Sequence, residues 1–218
     1  MFGSGWVAVV PVKRLPLAKT RLRGAVPGVP HERLVVAMAL DTVTSVLACP
    51  EVGHVFAVTD DPVAGSALAA LGAVVVPDEP AGGINAALSH GVRMAGATMA
   101  DATRNVAALT ADLPALRPPE LSAVLRAARR LAGTGPLRAY VPDSAGTGTA
   151  LLAALGGAAL APRFGPASAA AHAASGAVVL RGDWPTVRRD VDTRADLAAA
   201  IRLGVGPRTA DLVGAALR

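Results

Sequence analysis

The chain has 218 residues, a length typical of one α/β domain, so we predict that residues 1–218 form a single domain. Hydrophobic residues make up 52% of the sequence and aromatic residues 3%, which predicts a core built from Ala, Val and Leu. No apolar run reaches the roughly 20 residues that cross a bilayer, so no membrane association is expected, and the first residues lack the pattern of a signal peptide. Because Cys49 is the only cysteine, an intrachain disulfide is excluded and a cytoplasmic location is predicted.

The formal net charge is +5, and most of the basic residues are scattered along the sequence. Nucleic-acid binding would require them to gather on one face or arm, so we expect no nucleic-acid partner. One basic cluster follows the first apolar run and is expected to lie in a loop; it comprises Lys13, Arg14, Lys19, Arg21 and Arg23. A short basic loop favours small phosphorylated ligands over a polymer, with a solvated surface loop as the alternative.

Apolar runs and helical patterns alternate along the first half of the chain. Residues 5–12 form a continuous apolar run with β-branched side chains, which predicts a strand buried on both faces. In chain order we then predict a helix at 31–49, a strand at 54–59, an Ala-rich helix at 62–71, a strand at 73–76, a helix at 84–94 and a strand at 105–109.

The second half continues this alternation but contains a glycine-rich stretch at 143–165. We expect that stretch to be a surface excursion with a short helix at 151–155. Around it we predict a helix at 119–131, a strand at 137–141, a helix through His172, a strand at 177–180 and a final helix at 193–203. Strands that alternate with helices of this length indicate an α/β fold, with a mostly parallel sheet and helices on both faces.

Polar side chains follow several of the predicted strands at the point where each strand ends. They are Lys13, Asp60, Asp112 and Asp143. In open α/β sheets, ligands bind beyond the carboxyl ends of the strands. We therefore expect the functional site at this edge of the sheet.

Asp112 is the strongest candidate among these residues, because a carboxylate that follows a buried strand is costly to bury without a cation. Magnesium suits the position, since it binds one or two carboxylates together with substrate phosphates. Asp190 and Asp192 would share a side of an extended segment, so that one could reach the same metal while the other caps the last helix with Thr193. Turn capping by Asp112 and pure helix capping by the pair are the structural alternatives.

The loop after the first strand offers Lys13 and Lys19, two ammonium groups that could reach one polyphosphate. It lacks the Walker pattern GxxxxGK[ST], so phosphate binding would depend on basic side chains and local backbone N–H groups. Two later segments also suit an anion. The stretch 145–149 (AGTGT) supplies backbone amides and hydroxyls, and Gly165-x-x-Ser168 precedes a predicted helix. His172 follows Ser168 by one helical turn, but without a nucleophile elbow a Ser–His hydrolase is disfavoured.

Seven segments together resemble the phosphoenolpyruvate and 2-phospho-L-lactate guanylyltransferases of coenzyme F-420 biosynthesis, a family with a Rossmann-like nucleotidyltransferase fold. In chain order they are PVKRLPLAKTRL, VTDD, GGINAALSHG, TADLPAL, AGTGTALL, FGPASAAAH and DVDTRADL. The resemblance covers about residues 5 to 203, and the Ala- and Arg-rich composition favours an actinobacterial member that uses phosphoenolpyruvate. It implies that the chain joins GTP to this phosphorylated three-carbon acid and releases pyrophosphate, with Mg²⁺ as cofactor.

The resemblance also implies a role for each matching residue. Lys13, Lys19 and Asp112 would be catalytic, and Asp112 would bind the metal with Asp190 or Asp192. Nucleotide binding would involve Pro11, Lys13, Lys19, Asp60 and Asn85. The phosphorylated acid would contact Thr147 or Thr149, together with Gly165 and Ser168.

The chain departs from the family pattern at two positions. Ala111 stands where a glycine commonly precedes the motif aspartate, which could alter how closely a nucleotide approaches. Ala150 stands where a further threonine often follows GTGT, so the choice between Thr147 and Thr149 stays open.

Alternative functions are the same chemistry on 2-phospho-L-lactate or 3-phosphoglycerate, cytidylyl or molybdopterin guanylyl transfer, and a non-catalytic nucleotide-binding module. Both lysines and both acidic clusters argue for catalysis. A homodimer stays open beside a monomer.

Overall fold

Seven strands of the described residues form one sheet at the centre of the protein. The structure is a computed structural model that describes residues 5–14, 19–98, 105–133 and 135–215. The strands are β1 (Trp6–Pro11), β2 (Val52–Val58), β3 (Val74–Val76), β4 (Val106–Leu109), β5 (Leu137–Pro142), β6 (Thr149–Leu155) and β7 (Val178–Val179). Their order in the sheet is β3-β2-β1-β4-β6-β5-β7. β6 is antiparallel to β4 and β5, and the other pairs are parallel, so the predicted mostly parallel sheet is confirmed.

Helices cover both faces of this sheet, as the alternating pattern predicts. They are α1 (His31–Leu47), α2 (Pro62–Ala70), α3 (Ile84–Thr98), α4 (Pro118–Ala132), α5 (Ser168–Ala174), α6 (Pro185–Arg188), α7 (Arg194–Leu203) and α8 (Pro207–Ala215). Side chains alternate across β1: Trp6, Ala8 and Val10 belong to the apolar cluster that includes α1, α2 and α4, whereas Val7 and Val9 belong to the cluster that includes α3 and α5. The sheet therefore separates two apolar cores, consistent with a strand buried on both faces.

The helix predicted at 151–155 is wrong. These residues belong to β6, all seven residues of which are buried between β4 and β5. The surface excursion is accordingly limited to the turn that joins β5 to β6 and to the segment after β6. Leu and Ala favour helices when packing does not decide, but here pairing on both edges satisfies every backbone group of a central strand.

The end of the chain contains two short helices that the sequence pattern did not predict. α6 precedes the Asp190–Asp192 segment, and α8 follows the predicted final helix. α8 packs on α1, where the buried carboxylate of Asp41 accepts hydrogen bonds from the backbone N–H groups of Arg208 (3.3 Å) and Thr209 (2.8 Å). A side chain of α1 thus caps the first turn of α8.

Among the described residues, none of the helices combines the length and the apolar character that a bilayer crossing requires.

Candidate active site

A cavity of about 320 Å³ opens at the carboxyl ends of β1 and β4, the edge at which the sequence predicts the site. This volume lies within the range of small-molecule pockets. Its wall is formed by side chains from β1, the basic loop, α1, α3, the loop after β4 and the segment before α7. They are Pro11, Val12, Lys13, Lys19, Arg21, Val35, Met38, Ala39, Ile84, Thr110, Ala111, Asp112 and Asp192. Residues 15–18 of the basic loop lie outside the described residues.

Lys19 connects the two acidic segments in this cavity. Its ammonium nitrogen contacts Asp112 Oδ2 and Asp192 Oδ1, although 93 and 173 residues separate it from these partners. Burial alone would lower the pKa of Lys19, but the charges of Asp112 and Asp192 and their hydrogen bonds raise it above its ordinary value. Lys19 is therefore charged and neutralises part of the acidic cluster.

Backbone contacts hold Asp112 and the second acidic segment together. The N–H of Val191 donates to the carbonyl oxygen of Asp112 at 3.0 Å. On the other side, the buried Thr42 Oγ1 lies 3.2 Å from the carbonyl oxygen of Ala111 and accepts the N–H of Leu113 at 3.1 Å. The hydroxyl proton has the carbonyl oxygen of Met38 as its nearer acceptor, at 2.8 Å, so Thr42 acts on this loop mainly by holding the N–H of Leu113, directly after Asp112. Sequence reasoning missed this role, and its only signal is a hydroxyl on the apolar face of α1.

Asp190, the first residue of the second acidic segment, faces the same cluster. Its burial and the negative charges of Asp112, Asp192 and Asp143 together raise its pKa to about 7, while Lys19 opposes them. The segment does not cap α7 as one alternative predicted. Instead Thr193 and Asp196 form a capping box: Thr193 Oγ1 accepts the N–H of Asp196, and the Asp196 carboxylate accepts the N–H of Thr193.

The residues of this cluster fit a magnesium ion whose coordination shell is completed by oxygens of the substrate phosphates. Within the described ranges, no three His, Cys, Asp or Glu side chains are arranged to hold a metal ion by themselves. Magnesium usually keeps several waters and takes only one or two carboxylates plus phosphate oxygens. Asp112 Oδ1 is buried and lacks a hydrogen-bond partner, so one hard oxygen ligand is free. Asp112 and Asp192 would be the pair that shares the ion.

The predicted nucleotide-binding residues fall into two groups. Pro11, Lys13 and Lys19 line the cavity. Asp60 lies at the end of β2, where its Oδ1 accepts the N–H of Asp78 at 2.9 Å. The side-chain amide of Asn85 makes two hydrogen bonds to the backbone of Phe164. It donates to the carbonyl oxygen at 3.0 Å and accepts the N–H at 2.8 Å.

The residues predicted to bind the acid are connected through backbone hydrogen bonds. Thr147 lies in the turn between β5 and β6, where its carbonyl oxygen accepts the N–H of Ala169, and Gly165 accepts the N–H of Ser168. Thr147 is exposed. Thr149 is buried, and its Oγ1 lies 2.8 Å from His172 Nδ1. Of the two alternatives, Thr147 is the one whose hydroxyl is open to a ligand. Asp143, predicted as a strand-end carboxylate, accepts the N–H groups of Thr147 and Gly148 and so shapes this turn.

The family model described as "Guanylyl transferase CofC like" matches residues 6–173, more than three quarters of the chain. The chain belongs to this family. Relatives named phosphoenolpyruvate guanylyltransferase include those of Salinispora arenicola, 60% identical over 97% of this chain and 94% of the relative, and Streptomyces coelicolor, 54% identical over 94% of each. The resemblance stated from the seven segments is confirmed.

Solved structures confirm the nucleotidyltransferase fold of this family member. A nucleotidyl transferase from Methanothermobacter thermautotrophicus matches with a TM-score of 0.59 and 19% identity, over 92% of this chain and 98% of that one. A 4-diphosphocytidyl-2C-methyl-D-erythritol synthase matches with a TM-score of 0.57 and 17% identity, over 91% and 99%. Only the fold is shared at this level of identity.

Proposed function

We propose that this chain transfers a guanylyl group from GTP to phosphoenolpyruvate, forming enolpyruvoyl-2-diphospho-5′-guanosine and pyrophosphate in coenzyme F-420 biosynthesis. Membership of the guanylyl transferase family and the names of the relatives support the reaction. One observation carries the proposal at the level of the site. Lys19 contacts Asp112 and Asp192 together at the mouth of a pocket of ligand size.

The proposed reaction is an in-line displacement at phosphorus. A phosphate oxygen of phosphoenolpyruvate attacks the α-phosphorus of GTP, the bond to the β-phosphate oxygen breaks, and pyrophosphate leaves. The attacking phosphate is already ionised at neutral pH, so no side chain has to remove a proton. The work of the protein is then to align the two phosphates and to neutralise their charge.

Particular residues suit each part of this work. Asp112 and Asp192 would hold Mg²⁺, which supplies charge neutralisation at the phosphates when bound. Lys13 and Lys19 would contact the triphosphate, with Lys19 exchanging its carboxylate partners for phosphate oxygens. Thr147, Gly165 and Ser168 would contact the acid. Both substrates are small metabolites, in line with the predicted cytoplasmic location; a homodimer also stays a prediction.

Pyrophosphate release tests the proposal directly. The wild-type protein would be incubated with each of the four nucleoside triphosphates, paired with phosphoenolpyruvate, 2-phospho-L-lactate, 3-phosphoglycerate or no acid, with and without Mg²⁺. We expect release only with GTP, phosphoenolpyruvate and the metal together. Preference for another acid or another base would replace the proposed substrate, and no release in any combination would favour a nucleotide-binding module.

A further inference from the structure

His172 is a fully buried histidine with a hydrogen bond at each ring nitrogen, and the proposed reaction does not use it. Its side chain lies on α5, between the rings of Tyr140 and Phe164, whose centroids are 5.9 Å and 5.3 Å from its own. The N–H of Arg163 donates to Nε2 at 2.9 Å, and Nδ1 lies 2.8 Å from Thr149 Oγ1. Both ring nitrogens are therefore satisfied, and one of them holds the backbone of the loop before α5.

The partner at Nε2 determines the protonation of the ring. A backbone N–H can only donate, so Nε2 must accept and carries no proton. Nδ1 then holds the single proton and donates to Thr149 Oγ1. The charged groups that face the ring, Arg138 on β5 and Arg163 in the loop, are both cations and disfavour an imidazolium. His172 is therefore a neutral hydrogen-bond acceptor for the loop.

Asn85 holds the next residue of the same loop from the opposite side. Its amide accepts the N–H of Phe164 and donates to the carbonyl oxygen of Phe164, so both backbone groups of that residue are bound. α3, which carries Asn85, also supplies Ile84 to the wall of the cavity. Residues 163 and 164 are thus held by side chains from two different helices, immediately before Gly165.

We propose that His172 and Asn85 are positioning residues that fix the 163–165 loop, so that the exposed Gly165, ahead of the buried Ser168, faces the phosphorylated acid. The inference rests on the proposed function, because the acid site is part of it. It gives Asn85 a role different from the nucleotide contact predicted from the sequence. It also makes Thr149 the partner of His172, which leaves Thr147 as the threonine that meets the acid.

Two variants of His172 form a matched pair for the test. Both His172→Gln and His172→Asn remove the ring and its contacts with Tyr140 and Phe164. The longer Gln side chain can place an acceptor near the position of Nε2, whereas Asn reaches only to the position of Nδ1. We expect the KM for phosphoenolpyruvate to rise about tenfold or more in His172→Asn, which is roughly the effect of losing one hydrogen bond. In His172→Gln the same KM should stay within about threefold of wild type. The KM for GTP should stay within about twofold in both.

Asn85→Ala tests the other half of the proposal. It should raise the KM for phosphoenolpyruvate and leave the KM for GTP unchanged. A rise confined to the KM for GTP would instead assign Asn85 to the nucleotide and overturn its positioning role. Equal losses in the two His172 variants, or a parallel rise of both KM values, would overturn the role of His172.

A measurement on the wild-type protein keeps the proposal open to disproof if His172→Asn fails to fold. The ¹⁵N shifts of the imidazole distinguish the two neutral forms, and we expect the form protonated at Nδ1, with slow hydrogen exchange at the Arg163 amide. A proton on Nε2 would contradict the assignment. If the wild-type protein bound phosphoenolpyruvate in calorimetry but released no pyrophosphate, the proposed reaction would fail while the loop assignment stood. If it did not bind the acid at all, both proposals would fail.

Discussion

At the scale of single residues, the site depends on side chains whose partners are far away in the sequence. Asp112 could be singled out from the sequence because it follows a buried strand at the ligand-binding edge. Its proximity to the Asp190–Asp192 segment could also be suggested from the sequence, but the contact of Lys19 with both carboxylates could not. Thr42 and His172 could not be interpreted in this way, since a lone threonine in an apolar helix or a lone histidine is usually a packing residue. Their roles emerge only when residues 111–113 and 163 reach them in the fold.

The neutral state of His172 makes the stability of the protein depend on acid pH. Burial lowers its pKa, and together with the charges of Arg138 and Arg163 it brings the pKa from 6.5 to about 4. The unfolded chain therefore binds more protons than the folded protein between these two pH values. We expect the contribution of His172 to the free energy of unfolding to fall as the pH drops from about 6.5 towards 4, by an amount on the order of 2 kcal/mol. Asp190, whose pKa is raised to about 7, contributes with the opposite sign over the same range.

Denaturant unfolding at a series of pH values measures this dependence. Relative to wild type, His172→Gln should lose less of its free energy of unfolding between pH 6.5 and 4. His54→Gln is a suitable control because His54 is exposed on β2. If His54→Gln flattened the slope as much as His172→Gln, the buried neutral histidine would not be its source.

At the scale of secondary-structure elements, β6 is the main difference between the predicted and the observed fold. The segment TALLAAL is bounded by glycines at both ends, but it lacks β-branched alternation, and its Leu and Ala content is typical of a helix. It is a strand because β4 and β5 present open edges on both sides of it. Local sequence could not show this, since the deciding hydrogen bonds come from elements up to about fifty residues away.

The buried position of β6 predicts a large effect from shortening one of its side chains. Leu152 is fully buried in the core formed with α3 and α5, so Leu152→Ala should lower the free energy of unfolding by about 2–5 kcal/mol. Leu131, half-exposed on α4, offers the same substitution as a control, for which we expect a change below about 0.5 kcal/mol. Equal effects in denaturant unfolding would contradict a central, fully covered β6.

Docking of α8 depends on one carboxylate of α1. Asp41→Ala removes the acceptor of two backbone N–H groups and the ion pair with Arg208, so it should lower stability by about 0.5–2 kcal/mol. The loss should be accompanied by faster amide exchange in α8 but not in α7. Asp211→Ala, on the exposed side of α8, should leave the exchange unchanged. Protection of α8 equal to wild type in Asp41→Ala would show that apolar packing alone holds this helix.

At the scale of the whole molecule, the fold brings separated acidic segments to one edge of the sheet and covers both of its faces. The parallel arrangement of β1, β2, β3 and β4 aligns their carboxyl ends, which is why strand-end residues could be predicted as the site. Pairing of β6 between β4 and β5 then brings the turn with Thr147 to the same edge. The sheet topology thus brings these residues to one edge, and a few long-range contacts fix their positions relative to one another.

The most direct test of the whole account is pyrophosphate release from GTP and phosphoenolpyruvate by Asp112→Asn, measured beside wild type and Asp183→Asn. Asp183 is an exposed aspartate outside the cavity that Asp112 lines. Removing the charge of Asp112 should lower kcat/KM by about 100-fold or more while thermal unfolding stays cooperative, and Asp183→Asn should match wild type. Normal release by Asp112→Asn would contradict the central role given to this carboxylate.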